Sequence, residues 1–497
     1  MMDSIIRRLG IDRTAFSVTM MNLGLTLLHT VFNFYYVKVF LQLYGISSRW
    51  FQVAQVLFLV WNAVNDPLFG LLMDTGQSWL RDRRRVVRLC GPLYVAAFMV
   101  PWFPWGGPQS PPWLVGLHLI VSLFLYDGAF SMIGLAYCAL FTEAAAGHSQ
   151  RVHIMKYTQT CALIGLNGLF IVDKFSESLT DFRMFQAACG LLALLAYVAI
   201  QYTAVNAPDP PKPLPHLVRE TSLTDSDTST LSWSEMWSLS TEVFRNKDFW
   251  SVVGANFVLI CRTTAHINFA AIVTEALLPE ILPLGSWQMS LFYGCNAVLP
   301  QLFVIFVGSR LADRFGPHSV SVWVCSSAIL LSALTLLLAE NSPWAILFFI
   351  IFDSVTSFGI SPMMNILFPE VIADDTKRYN RRQPISAVIF SLNALVTKPA
   401  QSLAPMAIVS LLKAHGFQEV GGRLGGPVSA QAPPARPTPA PATPELRAFM
   451  FQMLCWMPLA LAAAQIACLS GYSRHLRKPH KDSSHVGVGF ADPLLKI

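Results

Sequence analysis

Charged side chains are scarce in this chain: Asp, Glu, Lys and Arg make up 13% of 497 residues, about half the share of a soluble globular protein. That excludes an ordinary water-soluble enzyme, and 54% apolar content excludes a disordered chain. There is no CxxC pair, no Cys/His cluster at zinc spacing, no Gly-rich phosphate loop and no evident Ser/His/Asp arrangement. An enzyme or a metal centre therefore has no residues to stand on, and no cofactor is expected. The cysteines at 90, 138, 161, 189, 261, 295, 325, 455 and 468 lie within or beside apolar runs, where they read as small buried hydrophobes. No N-x-S/T sequon is present to mark an outer face, and the first apolar run is too long for a cleaved signal.

What the chain does have is apolar blocks of about 20 residues, long enough to cross a ~30 Å hydrocarbon core as helices. They predict twelve spans, near 15–43, 51–74, 86–105, 112–140, 157–175, 184–204, 248–278, 287–308, 319–339, 343–367, 384–412 and 446–471. Lys and Arg crowd alternate loops: Arg7, Arg8 and Arg13; Arg81 to Arg88; Arg151 and Lys156; Lys212 to Lys247; Arg310 and Arg314; Lys377 to Arg382; and the tail from Arg474. The opposite loops hold only Arg49, Lys174, Arg183, Lys413, Arg423, Arg436 and Arg447. A bias of roughly three to one places both termini in the cytoplasm, with the plasma membrane as the default location. The basic residues serve orientation, so nucleic acid is not an expected partner; membrane lipid and a small solute are, and a monomer is expected.

Polar tracts divide the chain. Residues 1–204 form a first six-span half and 248–471 a second. Between them, 205–247 is Pro-rich, then Ser/Thr/Asp-rich, and reads as a cytoplasmic linker. Residues 421–445 form an outward-facing Pro/Ala-rich loop, and 472–497 a cytoplasmic tail. The halves echo each other. Asn62-Ala63-Val64 matches Asn296-Ala297-Val298, Asp127 matches Asp353, and Leu140-Phe141-Thr142-Glu143 matches Leu367-Phe368-Pro369-Glu370. A duplicated six-span unit with a site between the halves is the major facilitator pattern. The fold class expected is therefore an all-α membrane protein of the major facilitator superfamily, twelve transmembrane helices in two six-helix halves.

Specific motifs sharpen this. Ser309-Arg310-Leu311-Ala312-Asp313-Arg314-Phe315-Gly316 resembles the superfamily loop signature G-x-L-A-D-R-x-G, and Asp74 with Arg81 and Arg83 to Arg85 is its first-half counterpart. Acid at a helix end and Arg across the loop can pair, which gives Asp74, Arg83, Asp313 and Arg314 a gating role. The second span, VWNAVNDPLFG from Val60 to Gly70, resembles the W-D-A-x-N-D-P-x-x-G of the glycoside–pentoside–hexuronide:cation symporter branch. The stretch PEVIADDTKRYNRRQPISAVIFSLNALVTKPAQSLAP resembles the same branch and includes Lys398. Within that branch, FLVWNAVNDPLFG, LYDG and the Pro/Ala loop make nearly the whole chain similar to the transmembrane protein 180 family.

The resemblance implies a cation site between spans two and four and a solute site between the halves. The branch holds Na⁺, Li⁺ or H⁺ with two aspartates one turn apart on span two; here the second is Asp66 and the first is Asn62. A span-one aspartate of that branch is best matched by Asn22. Amides supply oxygen without charge, which weakens a Na⁺ site. Cation coupling is assigned to Asp66, Asn62, Asp127 and Lys398, with H⁺ favoured over Na⁺. Solute contact is assigned to Asn22, His29, Arg262, His266 and Asp353. Arg262 and His266, four apart on one helix face, could take an anionic group or instead pair with Asp353 or Glu275. The function expected is cation-coupled transport of a small polar, sugar-like or anionic solute. The alternatives are a lysolipid-type cargo, as a related vertebrate branch carries, and a transporter turned receptor or scaffold.

Overall fold

A computed structural model describes residues 11–473 except 76–77, 107–109, 146, 177–178, 180, 209–232, 284–285, 339–341, 380–384 and 415–442. Most of the linker, the Pro/Ala loop and the tail therefore lie outside the described residues. Twelve long helices cover the rest: α1 Arg13–Lys38, α2 Ser48–Thr75, α3 Arg83–Met99, α4 Pro112–Ala144, α5 His148–Phe175, α6 Phe182–Asn206, α7 Lys247–Leu277, α8 Trp287–Phe303, α9 Pro317–Leu338, α10 Pro343–Arg378, α11 Ser386–Ala414 and α12 Pro444–Ser470. A π turn (Val304–Gly308) continues α8 into a short helix, Ser309–Phe315. Among the described residues there is no strand, and nine helices are long and apolar enough to cross a bilayer. The chain is a multi-pass membrane protein.

Local chemistry sets the helix starts. Asp12 caps α1 through the amides of Thr14 (2.8 Å) and Ala15 (3.1 Å), and Asp82, Asp181 and Asn246 do the same for α3, α6 and α7. Prolines inside helices release the carbonyl four residues back, and neighbours take it up. Gln201 Nε2 donates to Arg88 O (3.0 Å) opposite Pro92, and Ser354 Oγ donates to Asn296 O (2.8 Å) opposite Pro300.

Three elements differ from the sequence expectation. Helix α5 begins at His148 rather than 157, and α10 runs on to Arg378 rather than stopping at 367. Hydropathy sees only the part of a helix in hydrocarbon, while polar turns beyond it pack on neighbouring helices. Within the expected linker, Trp233–Phe244 forms a helix before α7.

The two halves share a core at one end only. One buried apolar cluster runs from the first half into Val304, Ala312, Ile360–Ile372 and Ile385–Leu392, all at the Arg-rich end where α2 stops and α11 begins. At the opposite end the second half keeps a separate cluster around Phe269, Phe349 and Met450. Large apolar side chains such as Leu337 (77% exposed) and Phe170 (71%) point outward, where hydrocarbon is their solvent.

Candidate functional site

Helix α2 builds the centre of the site. Asn62 and Asp66 are one turn apart and share a face, and α11 brings Lys398 against it. Lys398 Nζ lies 2.6 Å from Asp66 Oδ2, donates to Asn62 Oδ1, and reaches Asn62 O at 3.4 Å. Asp66 is 3% exposed and the Lys398 side chain 24%, so this is a charge pair joining the two halves with its acid buried and its ammonium at a cavity wall. Asn65, next to Asp66 on α2, donates through its Nδ2 to Asp127 Oδ2 on α4. Its own Oδ1 is buried without a partner among the described residues. Gly128, beside Asp127, lets Trp61 lie flat on α4: a Cβ there would stand 3.3 Å from the indole, which itself stacks on Phe124.

Above the pair, away from the Arg-rich end, lies a cavity of about 380 Å³ between α2 and α11. Gln55, Phe58, Asn62, Leu395, Lys398 and Gln401 are among its walls. Among these walls Lys398 is the one charged group. Below the pair a much smaller cavity of about 40 Å³, lined by Cys138, Gln159 and Asn365, separates it from the Arg-rich end.

A second polar cluster lies in the first half. Asn33 Nδ2 donates to His29 Nε2 (2.8 Å), which leaves the His29 proton on Nδ1, facing the Tyr126 hydroxyl at 3.3 Å. Tyr126 bonds Tyr94 (3.2 Å), and His29 stacks on Phe130 at 4.4 Å.

The second half carries a third. Arg262 Nη2 donates to Asp353 Oδ1 (2.8 Å) and Thr356 Oγ1 (2.6 Å), and His266 Nδ1 lies 2.7 Å from Asp353 Oδ2. Arg262 is 1% exposed. Of the two pairings open to Arg262 and His266, the one with Asp353 is formed; the Glu275 side chain lies outside what the structure describes. Asp127 and Asp353 match in the repeat but face different partners, an amide on α2 and a guanidinium on α7. Asn22, read as a solute ligand, donates to Thr158 O (3.1 Å) and ties α1 to α5.

The Arg-rich end is closed by side chains. Arg83 pairs with Asp74, donates to Met73 O (2.8 Å), and lies 3.4 Å from Glu143 Oε1. The other oxygen of Asp74 accepts the Val388 amide of α11 at 2.8 Å. Asp313 and Arg314 are exposed, and among the described residues neither joins an ion pair. Sequence reasoning passed over Asn65, Glu143 and His148. The repeated Leu-Phe-x-Glu motif carried the signal for Glu143, and the Asn65-Asp66-Pro67 tripeptide that for Asn65.

Gly70 allows α2 and α11 to meet here. A Cβ on it would lie 2.2 Å from Ser391 Oγ and 2.6 Å from the Ala387 carbonyl oxygen. Gly70→Ala should therefore lower stability by about 1–3 kcal/mol by overpacking the contact, read as an earlier thermal unfolding midpoint. An unchanged midpoint would show that the helices do not meet this closely.

Twelve helices in two halves, a charge pair between them and a cavity on one side of it define a transporter of the major facilitator type. Residues 15–473 match the family model described as MFS/sugar transport protein, and the chain belongs to that family. It is 27% identical over 483 residues to transmembrane protein 180 of Mus musculus, covering 91% of both chains. It is 26% identical over 488 residues to that of Gallus gallus, covering 92% of this chain and 91% of the relative. Among solved structures it resembles an outward-facing bacterial homologue of the iron transporter ferroportin (TM-score 0.61, 14% identity, 93% of this chain and 99% of that one). It also resembles the E. coli fucose:proton symporter (TM-score 0.57, 13% identity, 92% of this chain and 98% of that one). At these identities the structural likeness speaks for the fold alone.

Proposed function

We propose that this protein is a secondary active transporter that moves a small polar solute by proton-coupled alternating access. The observation that carries the reading is the unequal charge count at the site: one ammonium, Lys398, already bound by Asp66 and Asn62, and a second carboxylate, Asp127, with a single amide donor. A buried carboxylate in that position calls for a proton or a cation. Na⁺ or Li⁺ would need several oxygen ligands in a space where Lys398 already stands, and its charge would be repelled by the ammonium. A proton adds no bulk. On Asp127 it makes an O–H donor that Asn65 Oδ1 can accept once the amide turns over. On Asp66 it releases Lys398 toward the cavity, where Gln55, Asn62 and Gln401 offer amides to a hydroxylated or anionic solute.

The Arg-rich end is cytoplasmic in this reading, both termini included, and the chain works as a monomer in the plasma membrane. A core shared only at that end makes the described conformation outward-open. A second reading, a lysolipid-type amphiphile, draws on the cavity flank formed by Val56 and Leu59, 62% and 57% exposed.

Thermal unfolding of the purified protein with Na⁺, Li⁺, sugars, organic anions and lysolipids, across pH, tests both readings. A ligand at roughly 100 times its Kd adds about 2.7 kcal/mol. A solute shift that depends on pH in wild type and loses that dependence in Asp127→Asn supports proton coupling. A shift that requires Na⁺ at every pH overturns it, and indifference to every ion and solute favours a receptor or scaffold instead.

A further inference from the structure

The strongest contact outside the transport site is a histidine wedged between the halves. His148 begins α5 and is 6% exposed. Its Nε2 lies 2.9 Å from the Ala312 carbonyl oxygen, and its Nδ1 lies 3.0 Å from Glu370 Oε1. The other oxygen of Glu370 accepts the Tyr472 hydroxyl at the end of α12 (3.2 Å). His148 comes from the first half, and Ala312, Glu370 and Tyr472 from the second.

Both partners of the imidazole are acceptors. A carbonyl oxygen and a carboxylate can each take a hydrogen and neither can give one, whereas a neutral imidazole has a single N–H. With Glu370 ionised, both bonds therefore form together only when the ring carries two protons and a positive charge. We propose that His148 is a proton-operated latch: the imidazolium clamps the first half to Ala312 and Glu370 and holds the Arg-rich end shut, and its deprotonation frees that end to open. The latch rests on the alternating-access reading but is separate from the coupling site, which lies beyond the small cavity around Cys138.

The surroundings favour the charged ring. Burial works against it, but the hydrogen bond to Glu370, the Ala312 carbonyl and the charges of Glu370 and Asp313 outweigh burial and raise its pKa above the ordinary histidine value. The other charged groups at this end belong to elements packed on α5 or to α5 itself. Asp12 faces His153 at 3.4 Å and Glu143 faces Arg83, while Arg310, Arg314, Asp374 and Asp375 sit on the elements of the second half and Arg151 and Lys156 on α5. A raised pKa in the closed form fixes the sign. The clamp is fully present below the ordinary histidine range and is lost as pH rises through the raised value.

One backbone amide reports closure in the native protein. Val388 lies in the first turn of α11, where an amide has no partner within its helix, and Asp74 of the first half accepts it. Hydrogen exchange at Val388, corrected for the intrinsic pH dependence of exchange, should accelerate by about tenfold for each pH unit above the His148 pKa. In His148→Gln it should be fast and flat with pH, because glutamine keeps a donor and cannot gain a charge. Equal pH dependence in wild type and His148→Gln overturns the latch. Should His148→Gln fail to fold, Glu370→Leu removes the charge and offers the imidazole no donor: its exchange midpoint should move to lower pH, and an unmoved midpoint overturns the proposal. Val388 protected at every pH with and without solute would overturn alternating access itself, and the latch with it.

Discussion

Asp353→Asn should destabilise the protein by about 3–5 kcal/mol, the range for leaving one member of a buried ion pair unpaired. Asparagine has nearly the same shape, so packing is kept while the counter-charge of Arg262 and one of the two oxygens that Arg262 and His266 share disappear. That guanidinium is 1% exposed, and its Nε and Nη1 are already without partners among the described residues. Sealed in this way, it has no water to replace the lost carboxylate. Arg262→Met in the same chain should recover much of the loss, because removing both charges also removes the desolvation cost. Denaturation midpoints of the two single variants and the double variant give the coupling directly. Equal midpoints for wild type and Asp353→Asn would mean that Arg262 finds water, and that the second half opens more widely than the described conformation.

Lys398→Met should abolish solute transport and destabilise the protein by about 3 kcal/mol, since it strands Asp66 at 3% exposure. Asp66→Asn should cost less stability, because the ammonium it leaves between two amides borders the cavity, with 24% of the side chain exposed. The paired change Asp66→Asn with Lys398→Met restores charge balance, so its unfolding midpoint should return toward wild type. Transport should not return with it. Under the proposed proton coupling, folding and function separate here because the pair stabilises by attraction but would work by exchanging a proton and exposing the lysine. Transport surviving in the double variant would remove these two residues from the coupling step and leave Asp127 as the proton carrier.

Much of this was legible in the chain. Low charge and twelve apolar blocks gave the helices; the Arg-rich loops marked one end; the repeat gave two halves. Asp66 stood out because a carboxylate in an apolar run is costly enough to need a purpose. Lys398 stood out for the same reason, and both were assigned to one cation-coupling site. Helix starts are set locally, since Asp12, Asp82 and Asp181 cap α1, α3 and α6.

Other assignments depend on which way a side chain turns. Asn22 has the same chemistry whether it lines a cavity or ties α1 to the Thr158 carbonyl, and only packing chooses. Asp127 and Asp353 are equivalent in sequence, yet one faces an amide and the other a guanidinium, because α2 and α7 present different side chains to them. His148 looked like part of a polar loop. Its importance arises from two acceptors more than 150 residues away, at Ala312 and Glu370. The sequence by itself determined what is local or periodic: where the apolar spans fall, helix caps and the costly buried charges. The tertiary structure decided the partners, because hydrogen bonds and ion pairs act over about 3 Å and packing alone brings residues from the two halves within that reach.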